Sequence, residues 1–174
     1  MKRIWIRGTS GSGKTTLGLA VAEKLGIPAV DLDDLNWLPG WTERPFEDFK
    51  ALVADVAAEP RWVISGNYGK VRRVLDHDAD AVVWLDYSLL VVFGRILRRT
   101  IRRVLTGEPC CNGNREGFRN SFLAKDSVIG WCLTTHACRH RECLAFMAET
   151  PPKGQVRLRH RSPGETEAWL RGLV

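Results

Sequence analysis

The chain has 174 residues, 44% of them hydrophobic and 26% charged, with a net charge of +6. That is ordinary for one globular domain with a real core. The longest apolar run, residues 89–93, is far too short to cross a bilayer, and residues 2–7 read as strand from the outset, with no room for a signal peptide. A soluble, cytoplasmic protein is expected, and its five cysteines, an odd number, read as reduced thiols rather than a disulfide framework.

In chain order, KRIWIR (2–7) reads as a buried strand, and residues 16–25 read as a helix with Leu17, Ala20, Val21 and Leu25 on one face. Between them lies GTSGSGKTT (8–16), which fits G-x-x-x-x-G-K-[ST] with Gly8, Gly13, Lys14 and Thr15 in the fixed places. Glycines there let successive N–H groups converge on phosphate oxygens, and the positive end of the helix adds to that field. Gly8, Ser10, Gly11, Ser12, Gly13, Lys14, Thr15 and Thr16 are therefore the expected contacts to a nucleoside triphosphate. Lys14 is set to reach the β- and γ-phosphates and the Thr15 hydroxyl to ligate magnesium.

PAVDL (28–32) reads as a second strand, opening into Asp31, Asp33 and Asp34 and a loop holding Trp37, Pro39-Gly40 and Trp41. A helix is expected over residues 45–59, a third strand over 61–65 ending in Gly66-Asn67-Tyr68, and a short helical turn over 70–75. A fourth strand over 81–85 follows, and then a helix over 89–105 whose second half is loaded with arginine. Residues 106–117, with Gly107, Pro109, Asn112, Gly113 and Asn114, read as a loop long enough to serve as a lid. Helix returns over 118–149, possible in two pieces; a fifth strand spans 155–159, and a capping box at Ser162-Pro163-Gly164-Glu165 starts the last helix. Strands alternating with helices imply a parallel sheet covered on both faces, with ligands gathering at the carboxyl ends of the strands.

The chemistry then follows from the loops at those ends. Asp31 is placed to hold a magnesium water and Asp33 to accept or orient a substrate hydroxyl, so that Lys14 and Asp33 are the expected catalytic pair. Asp34, Trp37, Gly66, Asn67 and Tyr68 are candidates for the acceptor pocket. Arg99 and Arg103 are candidate phosphate contacts, and Arg115 and Arg119 candidate catalytic cations on a closing lid. Arginine clusters at 95–103, 139–141 and 157–161 also fit a nucleic-acid surface, a second function class, although a polyphosphate ligand accounts for them without one. Cys132, His136, His140 and Cys143 fall near one helical face, where packing is the simpler reading than a metal.

Nearly the whole chain resembles the P-loop kinases of the adenylate-kinase and shikimate-kinase type, and among them the bacterial adenylate-kinase-like, DNA-topology-modulation group. The residues that carry this are GTSGSGKTT (8–16), DLDDLNWLPGW (31–41), WVISGNY (62–68), VVWLDYS (82–88) and RILRRTIRR (95–103). The resemblance implies an α/β three-layer sandwich with a five-stranded parallel sheet in the order 2-3-1-4-5. A single domain over 1–174 would carry a substrate-binding helical region near 35–60 and a lid near 106–120. It also implies a D-x-D pair at Asp31 and Asp33 for magnesium and the acceptor hydroxyl. Shikimate kinases carry a run of glycines after the third strand; here Gly66 stands alone before Asn67, so shikimate itself is not expected. The sequence thus reads as an ATP- and magnesium-dependent kinase of a small-molecule or nucleotide-like acceptor. A nucleotide-dependent nucleic-acid-binding regulator and a slow NTPase without acceptor are the alternatives.

Overall fold

Each apolar segment read as a strand joins one sheet in the computed structural model, which describes residues 1–115 and 127–173. The strands are β1 (Arg3–Gly8), β2 (Ala29–Asp31), β3 (Trp62–Ser65), β4 (Ala81–Leu85) and β5 (Val156–His160). They lie in the order β2-β3-β1-β4-β5, all parallel. Strands covered on both faces have no reason to alternate polar with apolar, and Ile4, Trp5, Ile6, Val82 and Val83 are all fully buried.

The helices are α1 (Lys14–Leu25), α2 (Leu32–Asn36), α3 (Phe46–Ala58), α4 (Arg72–Asp78), α5 (Leu89–Thr106), α6 (Val128–Ala148) and α7 (Pro163–Gly172). On one face of the sheet Ile4, Ile6, Val83 and Leu85 pack with Leu17 and Val21 of α1 and Val92 and Ile96 of α5. On the other, Trp5, Ile64 and Val82 pack with Phe49 and Val53 of α3, Leu75 of α4 and Phe146 of α6. The capping box forms: Ser162 Oγ accepts from Glu165 N at 3.2 Å, and the Glu165 carboxylate accepts from Arg161 N at 2.7 Å. No helix among the described residues is long and apolar enough to cross a membrane.

Two stretches expected as loops are ordered further. Residues 31–43 contain α2 and a two-stranded hairpin pairing Trp37–Leu38 with Thr42–Glu43. The Asp31 carboxylate caps α2 by accepting from Asp33 N at 3.0 Å, a local bond that a five-residue helix is too short to announce by periodicity. Within the expected lid, Pro109–Cys110 pairs antiparallel with Asn114–Arg115 around left-handed Cys111, Asn112 and Gly113. The helix expected from residue 118 is described only as α6, whose start Ser127 caps by accepting from Gly130 N at 3.1 Å; residues 118–126 lie outside the described chain.

α6 is bound to the sheet by unusual chemistry for a core. The Phe146 ring meets Trp5 edge-on at 5.7 Å and carries the guanidinium groups of Arg7, Arg72 and Arg157 at 4.2, 4.7 and 4.1 Å. Arg157 is in turn paired with Asp76 at 3.0 Å, and burial pushes Arg7 below the usual arginine range. Along the same helix Cys132 and Cys143 are buried, His136 Nε2 lies 3.3 Å from the Tyr87 carbonyl, and His140 Nδ1 lies 2.8 Å from Asp86. Among the described residues no group of three or more such side chains is arranged to hold a metal.

Removing the ring that three cations share should be costly. Phe146→Ala is expected to lower stability by about 3–5 kcal/mol in denaturant unfolding, with Phe146→Leu clearly milder because it refills most of the volume.

Candidate active site

The phosphate-binding loop runs from the end of β1 into α1, and its backbone leaves no space for side chains. Gly11 has φ +78°, and a Cβ there would lie 2.3 Å from Ile96 Cγ1 and 2.9 Å from the Val92 carbonyl. Gly13 is the N-cap of α1 and offers no side-chain cap, so the first amides of that helix have no partner within it. The loop is stapled by Ser12 N to the Thr9 carbonyl at 3.1 Å and by Arg95 Nη1 to the Ser12 carbonyl at 2.9 Å. Lys14 Nζ donates to the Thr9 carbonyl at 3.2 Å. Burial pushes this ammonium below the usual lysine range, Asp33 and Asp31 pull it back up, and Arg99 adds to the lowering. A poorly solvated cation beside free amides gains strongly from an arriving polyanion.

The acidic segment is wired into this loop. Thr15 Oγ1 donates to Asp31 Oδ2 at 2.5 Å, while Asp31 Oδ1 caps Asp33. Hydroxyl and carboxylate side by side make a hard-oxygen donor set suited to a magnesium ion that keeps most of its waters. Asp33 Oδ1 accepts from the Tyr68 hydroxyl at 2.7 Å, and burial with the Asp33 charge holds that phenol far above its usual range. Asp34 is exposed, and its carboxyl is raised by burial and by Asp31 and Asp33.

These groups line one cavity of about 2210 Å³. Lys14, Thr15, Asp31 and Asp33 share it with Asp34, Trp37, Gly66, Asn67 and Tyr68, and with Ser10 and Thr16 at its rim. Arg99 and Arg103 of α5 line it too, joined by Arg95, Arg98 and Arg102. Arg95, noted in the sequence only within the arginine cluster, both lines the cavity and bonds the phosphate loop; its signal is its place one turn before Arg99 on the same helical face. Arg44 and Lys70 are further cations on the cavity wall that sequence patterns did not single out.

One expected residue has a second partner, and one expectation needs correction. Asn67, expected as an acceptor contact, lines the cavity and also bonds the phosphate loop: Oδ1 accepts from Gly8 N at 3.2 Å and Nδ2 donates to the Gly8 carbonyl at 2.8 Å. Arg115 was read as a catalytic cation on the lid. It is exposed, does not line the cavity, and lies beside Gly107, because the hairpin register places it at the base opposite Pro109. Arg119 lies outside the described residues.

The hairpin is docked on the acidic loop rather than standing open. Asn112 Nδ2 donates to the Asp34 and Trp37 carbonyls, both at 2.6 Å. Asn114 accepts from Trp41 N at 3.0 Å and donates to the Leu38 carbonyl at 3.0 Å. Trp37 and Trp41 meet edge-on at 5.7 Å, and Cys110 and Cys111 face the cavity beneath the hairpin. Burial and the neighbouring Asp33 push the Cys111 thiol up to about 12, so it stays protonated.

No protein-family profile matches the chain. Among curated proteins it is 36% identical over 124 residues to the uncharacterized protein YqaC of Bacillus subtilis, covering 70% of this chain and 69% of that one. It is 37% identical over 109 residues to a shikimate kinase of Gloeobacter violaceus, a match spanning 53% of this chain but only 60% of that enzyme. Among solved structures, a shikimate kinase from Acinetobacter baumannii in complex with shikimate superposes with a TM-score of 0.58. The two share 17% identity, over 99% of this chain and 90% of the other, which is a likeness of fold.

Lys14→Ala should weaken binding of the magnesium complex of AMP-PNP by about 2–3 kcal/mol, roughly 30- to 150-fold in Kd by calorimetry. Breaking the dock with Asn112→Ala and Asn114→Ala together should speed amide exchange across residues 34–41 and shift the Trp37 and Trp41 fluorescence to the red. About 1 kcal/mol per lost hydrogen bond is the expected cost.

Proposed function

We propose that this chain, which belongs to the family of YqaC and shares the fold of shikimate kinases, is an ATP- and magnesium-dependent phosphotransferase of the adenylate- and shikimate-kinase-like type. Its acceptor is a small molecule bearing a hydroxyl or phosphate group. The observation that carries this reading is the hydrogen-bonded chain from the phosphate loop through Thr15 and Asp31 to Asp33, on the wall of the cavity that also holds Lys14.

In this reading the loop amides and Lys14 grip the β- and γ-phosphates, and Thr15 and Asp31 hold the metal. Magnesium, when bound, offsets charge on the phosphate oxygens. Asp33 has one oxygen engaged by Tyr68, and in this reading the other, Oδ2, takes the acceptor hydroxyl. The acceptor oxygen bonds to the γ-phosphorus as the bridging P–O bond to the β-phosphate breaks; the hydroxyl proton passes to Asp33, and ADP leaves. The arginines of α5 line the same cavity, which supports a phosphate-binding role for them over a nucleic-acid surface. The paired tryptophans, Tyr68, Arg44 and Lys70 form the acceptor end.

The test is ATP consumption and product detection by phosphorus NMR against nucleoside monophosphates, nucleosides, polyols and shikimate. One acceptor should raise turnover well above basal hydrolysis, and Asp33→Asn should cut kcat by roughly 10²- to 10⁴-fold, the usual contribution of a positioned base. Basal hydrolysis indifferent to every acceptor, with nucleotide binding still lost in Lys14→Ala, would sink phosphotransfer and leave a nucleotide-binding protein with slow hydrolysis.

A further inference from the structure

β3 ends in two neighbouring side chains that reach to opposite sides of the cavity. Asn67 makes a reciprocal pair of hydrogen bonds with Gly8, the first residue of the phosphate loop, at 3.2 and 2.8 Å. Tyr68 donates to Asp33 Oδ1 at 2.7 Å, with its ring braced on Phe49 at a centroid distance of 5.0 Å. The backbone that presents them is itself fixed. Gly66 N donates to the Ile6 carbonyl at 3.1 Å, and Trp5 Nε1 donates to the Gly66 carbonyl at 3.0 Å. Gly66 has φ +145°, and a Cβ there would lie 2.7 Å from Leu32, the residue between Asp31 and Asp33. The end of β3 is therefore wedged between β1 and the acidic segment.

We infer that Asn67 and Tyr68 are positioning residues that together set the separation between the phosphate loop and the Asp33 carboxylate. In-line transfer demands reacting atoms about 3–3.5 Å apart, and a misplacement of about 1 Å costs on the order of a hundredfold in rate. A loop held at its first glycine and a carboxylate held by one oxygen, both from one rigid strand end, meet that demand with side chains. A run of glycines could not do so. The Asn67 half concerns nucleotide binding alone; the Tyr68 half rests on the phosphotransfer reading.

The experiment compares Asn67→Ala and Tyr68→Phe in two measurements, the Kd of magnesium AMP-PNP and the kcat of ATP consumption with the best acceptor, or with water if none is found. Asn67→Ala should raise Kd roughly tenfold, as loss of two neutral hydrogen bonds at the loop implies. Tyr68→Phe should leave Kd within about twofold and lower kcat roughly 10- to 100-fold, because it loosens only the carboxylate. If Asn67→Ala proves poorly folded, Asn67→Asp replaces it: it keeps an acceptor for Gly8 N, loses the donor to the Gly8 carbonyl, and should weaken AMP-PNP at least as much. Wild-type affinity in the Asn67 variants overturns the clamp, and wild-type kcat in Tyr68→Phe overturns the hold on Asp33. Equal loss of nucleotide affinity in both variants means general loosening and overturns both. A wild-type protein that consumes no ATP at all removes the phosphotransfer reading and the Tyr68 half with it, while the AMP-PNP measurement still decides the Asn67 half.

Discussion

A single buried residue position, the junction of β1 with the phosphate loop at Gly8, sets most of the geometry of this molecule. β1 is the middle strand, bonded in parallel register to β3 on one side and β4 on the other, so its end cannot shift without breaking both ladders. Gly8 sits opposite Leu85 of β4, and a Cβ on it would lie 2.5 Å from Ser12 Oγ and 3.0 Å from the Leu85 carbonyl. Fixing this point fixes where α1 begins and where its unpartnered amides emerge. It fixes the direction of Lys14 as well.

From that point the cavity divides by charge. Carboxylates gather at the end of β2, and arginines of α5 lie on the other flank of the loop, with Lys14 between them. Neither group is stable packed against itself in a partly dehydrated cleft, and each is partly neutralised locally: Asp31 by Thr15 and the Asp33 amide, Asp33 by Tyr68, Arg95 by the Ser12 carbonyl. In the proposed function the arginines of the α5 side would meet a polyphosphate. In the same proposal the acids opposite would face a cation or a hydroxyl, the chemistry of transfer to an acceptor.

The acceptor end is built differently, from short elements rather than from the sheet. α2, the small hairpin after it and the hairpin at Pro109–Arg115 are all short, with Leu32 of α2 anchored in the core. They are held by asparagine side chains bonded to backbone carbonyls, and Asn112 adopts the left-handed conformation to do so. Such contacts cost less to break and re-form than the packing of the sheet beneath.

How much of this could be read beforehand depended on the range of the interactions involved. The strands, the phosphate loop and the capping box of α7 were legible, because apolar runs, glycine spacing and a Ser-x-x-Glu pattern act within a few residues; the strand order came only from the family resemblance. Arg95 was half visible, one turn from the arginines that were singled out. Asn67 was legible only in part: spacing shows that an amide follows Gly66, but not that Gly8, 59 positions away in sequence, would bond both ends of it. Arg115 was misread for the same reason, since only the register of a short hairpin decides which way a side chain faces. Local chemistry in the chain by itself determined the glycine-rich loop between strand and helix and the acids at the end of the next strand. Which side chains hold the loop, which hold the carboxylate and which roof the pocket was decided by the tertiary structure alone, because those bonds join residues that only the packed sheet brings within 3 Å or so of one another.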